Sequence, residues 1–424
     1  MERSFDELLN DCVHCGFCLP ACPTYQLWGE EMDSPRGRIH LMRGLAEGDV
    51  LTPERVGHFD ACLGCMACVP ACPSGVQYDK LIETTRARIE PSAPRTVADR
   101  GVRTLIFTIF PYPRRIRAAL PLLRLAQRTG LQRALARQPR LQRRFPRLLA
   151  MTTLAPAIPR RSQRRRAIGG PAQAAVPTRG TVAVLTGCVQ DAFFSRVNRD
   201  TVSVLRAEGF DVIVPKGQGC CGALGLHTGR EERARAMAAE LVDRIPDRVD
   251  AIITNAAGCG SSLKEYGDLL ADDPVRAERA ARFAAKVRDI TEFLIEVGPV
   301  APRHPVPLTV AYHDACHLAH AQGVRRPPRE LLAGIPELTL VEITEGDLCC
   351  GSAGVYNILN PAPAADLGAR KARNVAATGA HLLVAGNPGC LMQIQQHLAA
   401  AGQPMPAMHT IELLATSLDP TRQR

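Results

Sequence analysis

Two cysteine runs of identical spelling constrain this chain more than any other feature. Cys12, Cys15, Cys18 and Cys22 are followed by Pro23, and Cys62, Cys65, Cys68 and Cys72 by Pro73. Both read C-x2-C-x2-C-x3-C-P. A zinc site takes four ligands, usually as two separated pairs, and has no use for so tight a run. Disulfides suit a secreted chain, but residues 1–10 are acidic and have no apolar h-region. Sixteen cysteines in a reducing compartment read as metal ligands.

The spacing is that of the bacterial ferredoxin run, in which three cysteines hold one [4Fe–4S] cluster and the fourth ligates the other. The expected sets are Cys12, Cys15, Cys18 and Cys72 on one cluster, and Cys62, Cys65, Cys68 and Cys22 on the second. The implied chemistry is single-electron transfer. The 39 residues between the runs are far more than a minimal two-cluster ferredoxin needs. They read as helix: Pro35 opens one after Ser34, and Ile39, Leu41, Met42 and Leu45 make an apolar stripe before Gly48. Residues 81–89 read as another. The expectation for residues 1–90 is an all-helical ferredoxin domain. Arg36 and Arg38 flank Gly37 near the clusters. They either favour the reduced state by their charge or form salt bridges at a helix end. His14, between two ligands, reads as a surface or neighbouring residue.

Charge is unevenly spread. Residues 91–180 hold 20 arginines, no lysine and one acid, Asp99, so this stretch is net +19 while the whole chain is +10. Two readings stand: a surface facing a partner or anionic lipid, or solvated helix faces in an Arg-rich linker. Segments 116–125 and 131–141 have helical periodicity, and 169–180 is a linker by composition. Nucleic acid is a poorer third reading and is not expected as a partner, since few aromatics lie nearby and no recognition fold is spelled. The best apolar run, 105–110, is far too short to span a membrane. The expected location is cytoplasmic, or peripheral on the cytoplasmic membrane.

Beyond residue 180 the chain repeats itself. Strands at 181–186, 211–215 and 251–254 lead to Cys188, to Cys220 and Cys221, and to Cys259. Strands at 308–312, 338–343 and 382–385 lead to Cys316, to Cys349 and Cys350, and to Cys390. The matching cysteines are 128, 129 and 131 residues apart. Strands alternate with helical stretches such as 231–242, so each half should be an α/β layer with a parallel sheet, its cysteines at the carboxyl ends of strands. His313, Asp314, Cys316 and His317 form a dense knot, in which His317 reads as tuning a metal through a hydrogen bond. There is no C-x-x-C-H for covalent haem and no dinucleotide fingerprint.

These halves resemble the cysteine-rich CCG domains of heterodisulfide reductase-type proteins. The whole chain resembles the iron–sulfur subunits of bacterial glycolate oxidase (glycolate dehydrogenase). The matching stretches are Cys12-Val-His-Cys-Gly-Phe-Cys18, Cys22-Pro-Thr-Tyr-Gln-Leu27, Ser34-Pro-Arg-Gly-Arg-Ile39, Cys72-Pro-Ser-Gly-Val76, Gly219-Cys-Cys-Gly-Ala223, Gly258-Cys-Gly260 with Lys264-Glu-Tyr-Gly267, and Leu348-Cys-Cys-Gly-Ser-Ala-Gly354. The resemblance implies an α+β multidomain chain: ferredoxin domain 1–90, Arg-rich helical linker 91–180, and CCG domains 181–300 and 301–424. It implies an electron-transfer subunit of a flavin-dependent 2-hydroxy acid dehydrogenase, with FAD on separate partner subunits and a quinone or other acceptor downstream. The alternatives are the same module in a glycerol-3-phosphate or lactate dehydrogenase, or a catalytic protein like heterodisulfide reductase. In the full CCG pattern the last cysteine belongs to a C-x-x-C pair. Here Ser262 and Gln393 stand at the second position, so each repeat has four cysteines where the pattern has five. Either the repeats hold one or two additional clusters, or the fold was kept and a metal site lost.

Overall fold

The computed structural model describes residues 3–136, 138–156, 158, 178–419 and 421. Residues 169–177 of the expected linker at 169–180 lie outside the described residues, and its last residue, Gly180, already belongs to a strand. The N-terminal region is helical, with helices Phe5–Asn10, Pro23–Trp28, Pro35–Ala46, Pro53–Ala61 and Tyr78–Ile89. Local chemistry sets their starts. Ser4 and Glu7 form a capping box, Ser34 accepts from the Gly37 N–H, and Thr52 accepts from that of Arg55. Pro23, Pro35 and Pro53 each occupy the first helical position, where the missing N–H is not needed. Leu8, Leu9, Ile39, Met42, Phe59, Leu81 and Ile82 form the small core that holds the helices.

The Arg-rich stretch folds into helices Val97–Ile109, Pro113–Arg128, Leu131–Ala136, Pro139–Arg144 and Pro146–Thr153. It packs on both repeats. Ile106 and Phe107 meet Val355, Ile358 and Leu359, while Ile116, Leu120 and Ile158 meet Ala192. Part of its charge turns inward. Arg95 and Arg103 bind Asp60 at 2.6 and 2.8 Å, Arg95 also binds Glu90 at 2.6 Å, and Arg147 pairs with Asp99.

The remainder forms two four-stranded sheets, all strands parallel. The strands are β1 (Gly180–Val184), β2 (Phe210–Ile213), β3 (Ala251–Thr254) and β4 (Val287–Asp289), then β5 (Thr309–His313), β6 (Thr339–Glu342), β7 (Leu382–Ala385) and β8 (Ala407–His409). Their orders are β2-β1-β3-β4 and β6-β5-β7-β8. Strands β4 and β8 were not expected, because three residues carry too little periodicity to register. The repeats meet through helices in a pseudo-twofold exchange. Helix Ser195–Ala207 packs on Thr410–Leu418, and their counterparts Arg326–Ala333 and Ile290–Val297 pack on each other. Val182, Val184 and Ile253 share one continuous core with Val310, Tyr312 and Val384.

Candidate metal centres and the cavity they surround

Four thiols from the two runs line each of two small cavities. Cys12, Cys15, Cys18 and Cys72 surround the first, together with His14 and Arg36. Cys22, Cys62, Cys65 and Cys68 surround the second, with Arg38 and Tyr78. Each run thus sends its fourth cysteine across to the other, and four thiolates is the count a [4Fe–4S] cluster takes. The two surroundings differ sharply. Cys15 is exposed, and its neighbours Val13 and Phe17 are each 67% exposed. Cys22, Cys62, Cys65 and Cys68 are all buried.

Buried thiols resist ionisation unless charge offsets the loss of water. Burial pushes Cys65 and Cys68 well up. Burial acts on Cys62 as well, but the guanidinium charges of Arg38 and Arg86 outweigh it and hold that thiol below its ordinary value. The Gly64 N–H and the Tyr78 hydroxyl also donate to its sulfur, at 3.4 and 3.7 Å. Arg38 is 1% exposed and reaches the Asp33 carboxylate at 3.1 Å and the His58 carbonyl at 2.7 Å. Arg36 pairs with Glu31 at 2.6 Å and donates to the His14 carbonyl. Both arginines are therefore ion-paired, as the salt-bridge reading expects, and both lie beside the cysteines.

A larger cavity of about 200 Å³ opens between the repeats. All eight repeat cysteines line it: Cys188, Cys220, Cys221 and Cys259 on one side, Cys316, Cys349, Cys350 and Cys390 on the other. Neighbouring sulfurs approach closely, Cys188 to Cys220 at 3.5 Å and Cys316 to Cys349 at 4.0 Å. The glycine after each Cys-Cys pair is required by its surroundings. Gly222 and Gly351 have φ of +83° and +85°, and a Cβ would sit 3.0 and 2.6 Å from the carbonyls of Ala234 and Ala364.

The ferredoxin region reaches this cavity directly. Cys62 and Leu63 belong to its wall, and Leu63 and Cys65 pack in one cluster with Cys316, Cys349 and Tyr356. Arg86 fastens the junction, donating to the carbonyls of Phe59, Cys62 and His227.

Two histidines face each other across the repeats. The rings of His227 and His317 lie 5.0 Å apart, and neither Nε2 has a hydrogen-bond partner among the described residues. His227 Nδ1 meets the Glu83 carboxylate at 2.6 Å. Burial would lower His227, but Glu83 outweighs it and raises the imidazole above its usual value. Burial holds His317 down to about 3. Its Nδ1 lies 3.8 Å from the Cys316 sulfur. Sequence reading missed His227 and Glu83. The only signal was His227 standing six residues after Cys221, and Glu83 comes from another region altogether.

Comparison with known proteins agrees along the chain. Residues 8–76 match the 4Fe-4S dicluster domain, 98–155 the linker region of the glycolate oxidase iron-sulfur subunit, and 182–264 and 310–395 the cysteine-rich domain. A probable glycolate oxidase iron-sulfur subunit of Bacillus subtilis is 38% identical, over 96% of this chain and 93% of its own. The glycolate oxidase iron-sulfur subunit of Escherichia coli is 33% identical over 98% and 95%. Lactate utilization protein A of Halalkalibacterium halodurans is 30% identical over 55% of this chain and 96% of its own. With two cysteine quartets, a connecting helical segment and paired cysteine-rich repeats, the chain belongs to the family of glycolate oxidase iron–sulfur subunits and is an iron–sulfur electron-transfer subunit.

Proposed function

We propose that this chain takes electrons from a separate FAD subunit oxidising glycolate or a close 2-hydroxy acid, and delivers them toward a quinone. Cys12, Cys15, Cys18 and Cys72 hold one [4Fe–4S] cluster, and Cys22, Cys62, Cys65 and Cys68 the other. The eight repeat cysteines are ligands for further metal. Labour divides along the chain into residues 1–90, 91–180, 181–300 and 301–424. When bound, a [4Fe–4S] cluster exchanges one electron at a time, which lets a two-electron flavin reaction be divided into single steps.

The observation that carries the reading is the graded line of thiols. An exposed quartet is rimmed by Val13 and Phe17, a buried quartet lies behind it, and the buried quartet shares Cys62 with the eight-cysteine cavity. The exposed rim is where a partner docks, and the buried quartet is kept from solvent. Exposed Leu122, Leu125, Leu131 and Leu135 among the surface arginines suit peripheral contact with an anionic membrane. No described helix is long and apolar enough to cross one.

The test is EPR of the anaerobic complex before and after glycolate. Reduced-cluster signals raised by glycolate support the reading. Signals raised by dithionite but not by glycolate overturn the substrate. Lactate is the second reading, favoured by the match to lactate utilization protein A. Signals with lactate alone would establish it.

A further inference from the structure

The two repeats are not equivalent around their last cysteines. In the second repeat the ligand atoms of His313, Cys350 and Cys390 all lie within 4.8 Å of one another, and all three residues are buried. His313 is 1% exposed, and neither ring nitrogen has a hydrogen-bond partner among the described residues. An imidazole buried with both nitrogens idle forfeits a cost that a ligand would recover.

An amide donor and a buried cation lie near these sulfurs. Asn387 donates its amide N–H to the Cys390 sulfur at 3.3 Å. Lys371 is fully buried; its ammonium donates to the carbonyls of Glu345 and Gly346 and makes no ion pair with a carboxylate among the described residues. A buried ammonium needs a counter-charge; burial lowers the Lys371 ammonium below its ordinary value, and Cys350 and Cys349 are the first of the groups that act against that loss.

The first repeat holds none of this. The cysteine offsets of 128 and 131 residues put Leu185 opposite His313 and Ala256 opposite Asn387. The matching packing of Gly222 on Ala234 and Gly351 on Ala364 puts Leu241 opposite Lys371. Leu185, Leu241 and Ala256 line one small cavity with Cys221 and Cys259. Three polar groups on one side thus correspond to three apolar ones on the other. The position that completes the C-x-x-C pair elsewhere is Gln393. Its amide is engaged with Asn357 and the Ala364 carbonyl, so it is not available as a replacement donor.

We propose that His313, Cys350 and Cys390 together ligate one thiophilic transition-metal ion, giving the second repeat a mixed imidazole–thiolate centre that the first repeat does not have. This rests on the reading of the repeat thiols as metal ligands. Two thiolates and a neutral imidazole suit zinc or an iron of a cluster. In a cluster, imidazole in place of thiolate removes one negative charge and raises the potential, which would make the second repeat the electron sink of the pair.

The test uses the full-length chain in its complex, purified anaerobically, with metal counted per chain. Pulsed EPR of the reduced protein is compared with and without 15N-histidine labelling, and zinc absorption spectroscopy reads the ligand shell where zinc is found. His313→Leu, which installs the first repeat's residue, should lose metal. The loss is either zinc with iron unchanged, or iron together with a nitrogen coupling that shifts on labelling. His313→Cys should restore the metal without the nitrogen. Ferredoxin-cluster signals retained in the variants report an intact fold. Should the variant not fold, the isotope or absorption measurement on the unaltered chain decides. Metal no greater than two [4Fe–4S] clusters require would overturn both the reading of the repeat thiols and this inference. Excess metal with no histidine nitrogen, or with no response to His313→Leu, would overturn the inference alone.

Discussion

Arg38 shows what one buried charge does beside a metal site. Its guanidinium lies among Asp33, Thr24 and the His58 carbonyl, and its charge helps hold the Cys62 thiol below its ordinary value. Arg38→Leu leaves Asp33 without its arginine, and breaking such a buried pair costs about 3–5 kcal/mol. The midpoint potential of the buried cluster should also fall, because the reduced state is the more negative one. Arg38→Lys should keep most of the potential and less of the stability. An EPR redox titration with a thermal melt checks both, and an unshifted midpoint in Arg38→Leu would sink the electrostatic role. A second residue links pH to stability. His409 caps helix Thr410–Leu418, accepting from the Ile411 N–H, while its Nε2 meets the Asn255 carbonyl of the first repeat at 2.8 Å. Burial lowers its imidazole from 6.5 to about 4. Above the unfolded value neither state binds the proton and the stabilising contribution is complete; as pH falls toward about 4, only the unfolded chain takes it up, so stability declines. His409→Asn keeps a capping oxygen without titrating in this range. Its melting temperature should fall less between pH 6.5 and 4.5 than that of the unaltered chain.

At the scale of elements, the arginines of the helical segment fall into two sets that composition alone could not separate. Arg95, Arg103 and Arg147 face inward onto Asp60, Glu90 and Asp99, while Arg114, Arg115, Arg128 and Arg143 remain exposed beside the exposed leucines. Binding to anionic vesicles should therefore weaken with added salt, since the exposed charges are screened. It should drop several-fold in Leu122→Gln/Leu125→Gln. Equal sedimentation with neutral and anionic vesicles would remove the lipid reading. Much of the element plan could be read in advance where spacing carried it. Pro35 after Ser34 opened a helix as expected, and the strands before Cys188, Cys259, Cys316 and Cys390 lie where the repeat put them. What escaped was chemistry assembled from distant segments. His227 with Glu83, and Leu185, Leu241 and Ala256 against His313, Lys371 and Asn387, become meaningful only when the sheets align them. Likewise the 131–141 segment is divided, with helix Leu131–Ala136 ending before Pro139 opens the next.

For the whole molecule, the graded exposure of the thiols is the ground for proposing that a partner docks at the rim of the first quartet. Phe17→Glu with Val13→Glu should leave the EPR signals produced by dithionite intact while slowing reduction by substrate at least tenfold, because the exposed rim is altered and no cysteine is touched. Stopped-flow absorbance of the complex measures this, and unchanged reduction would move the docking face elsewhere. The two repeats, by contrast, are joined through a shared interior. Val182 and Ile253 share a core with Val310 and Val384, and the exchanged helices close over it. Each copy keeps a core of its own, with Ala183, Ala238 and Val287 in the first and Ala311, Val375 and Ile394 in the second, but it shares a further core with its twin. Dropping one copy would bare that shared core, so the freedom to lose or trade either half, or to let it decay, was gone. Evolution could then vary the lining of each half, giving one a histidine and the other a leucine, but it could no longer part with either.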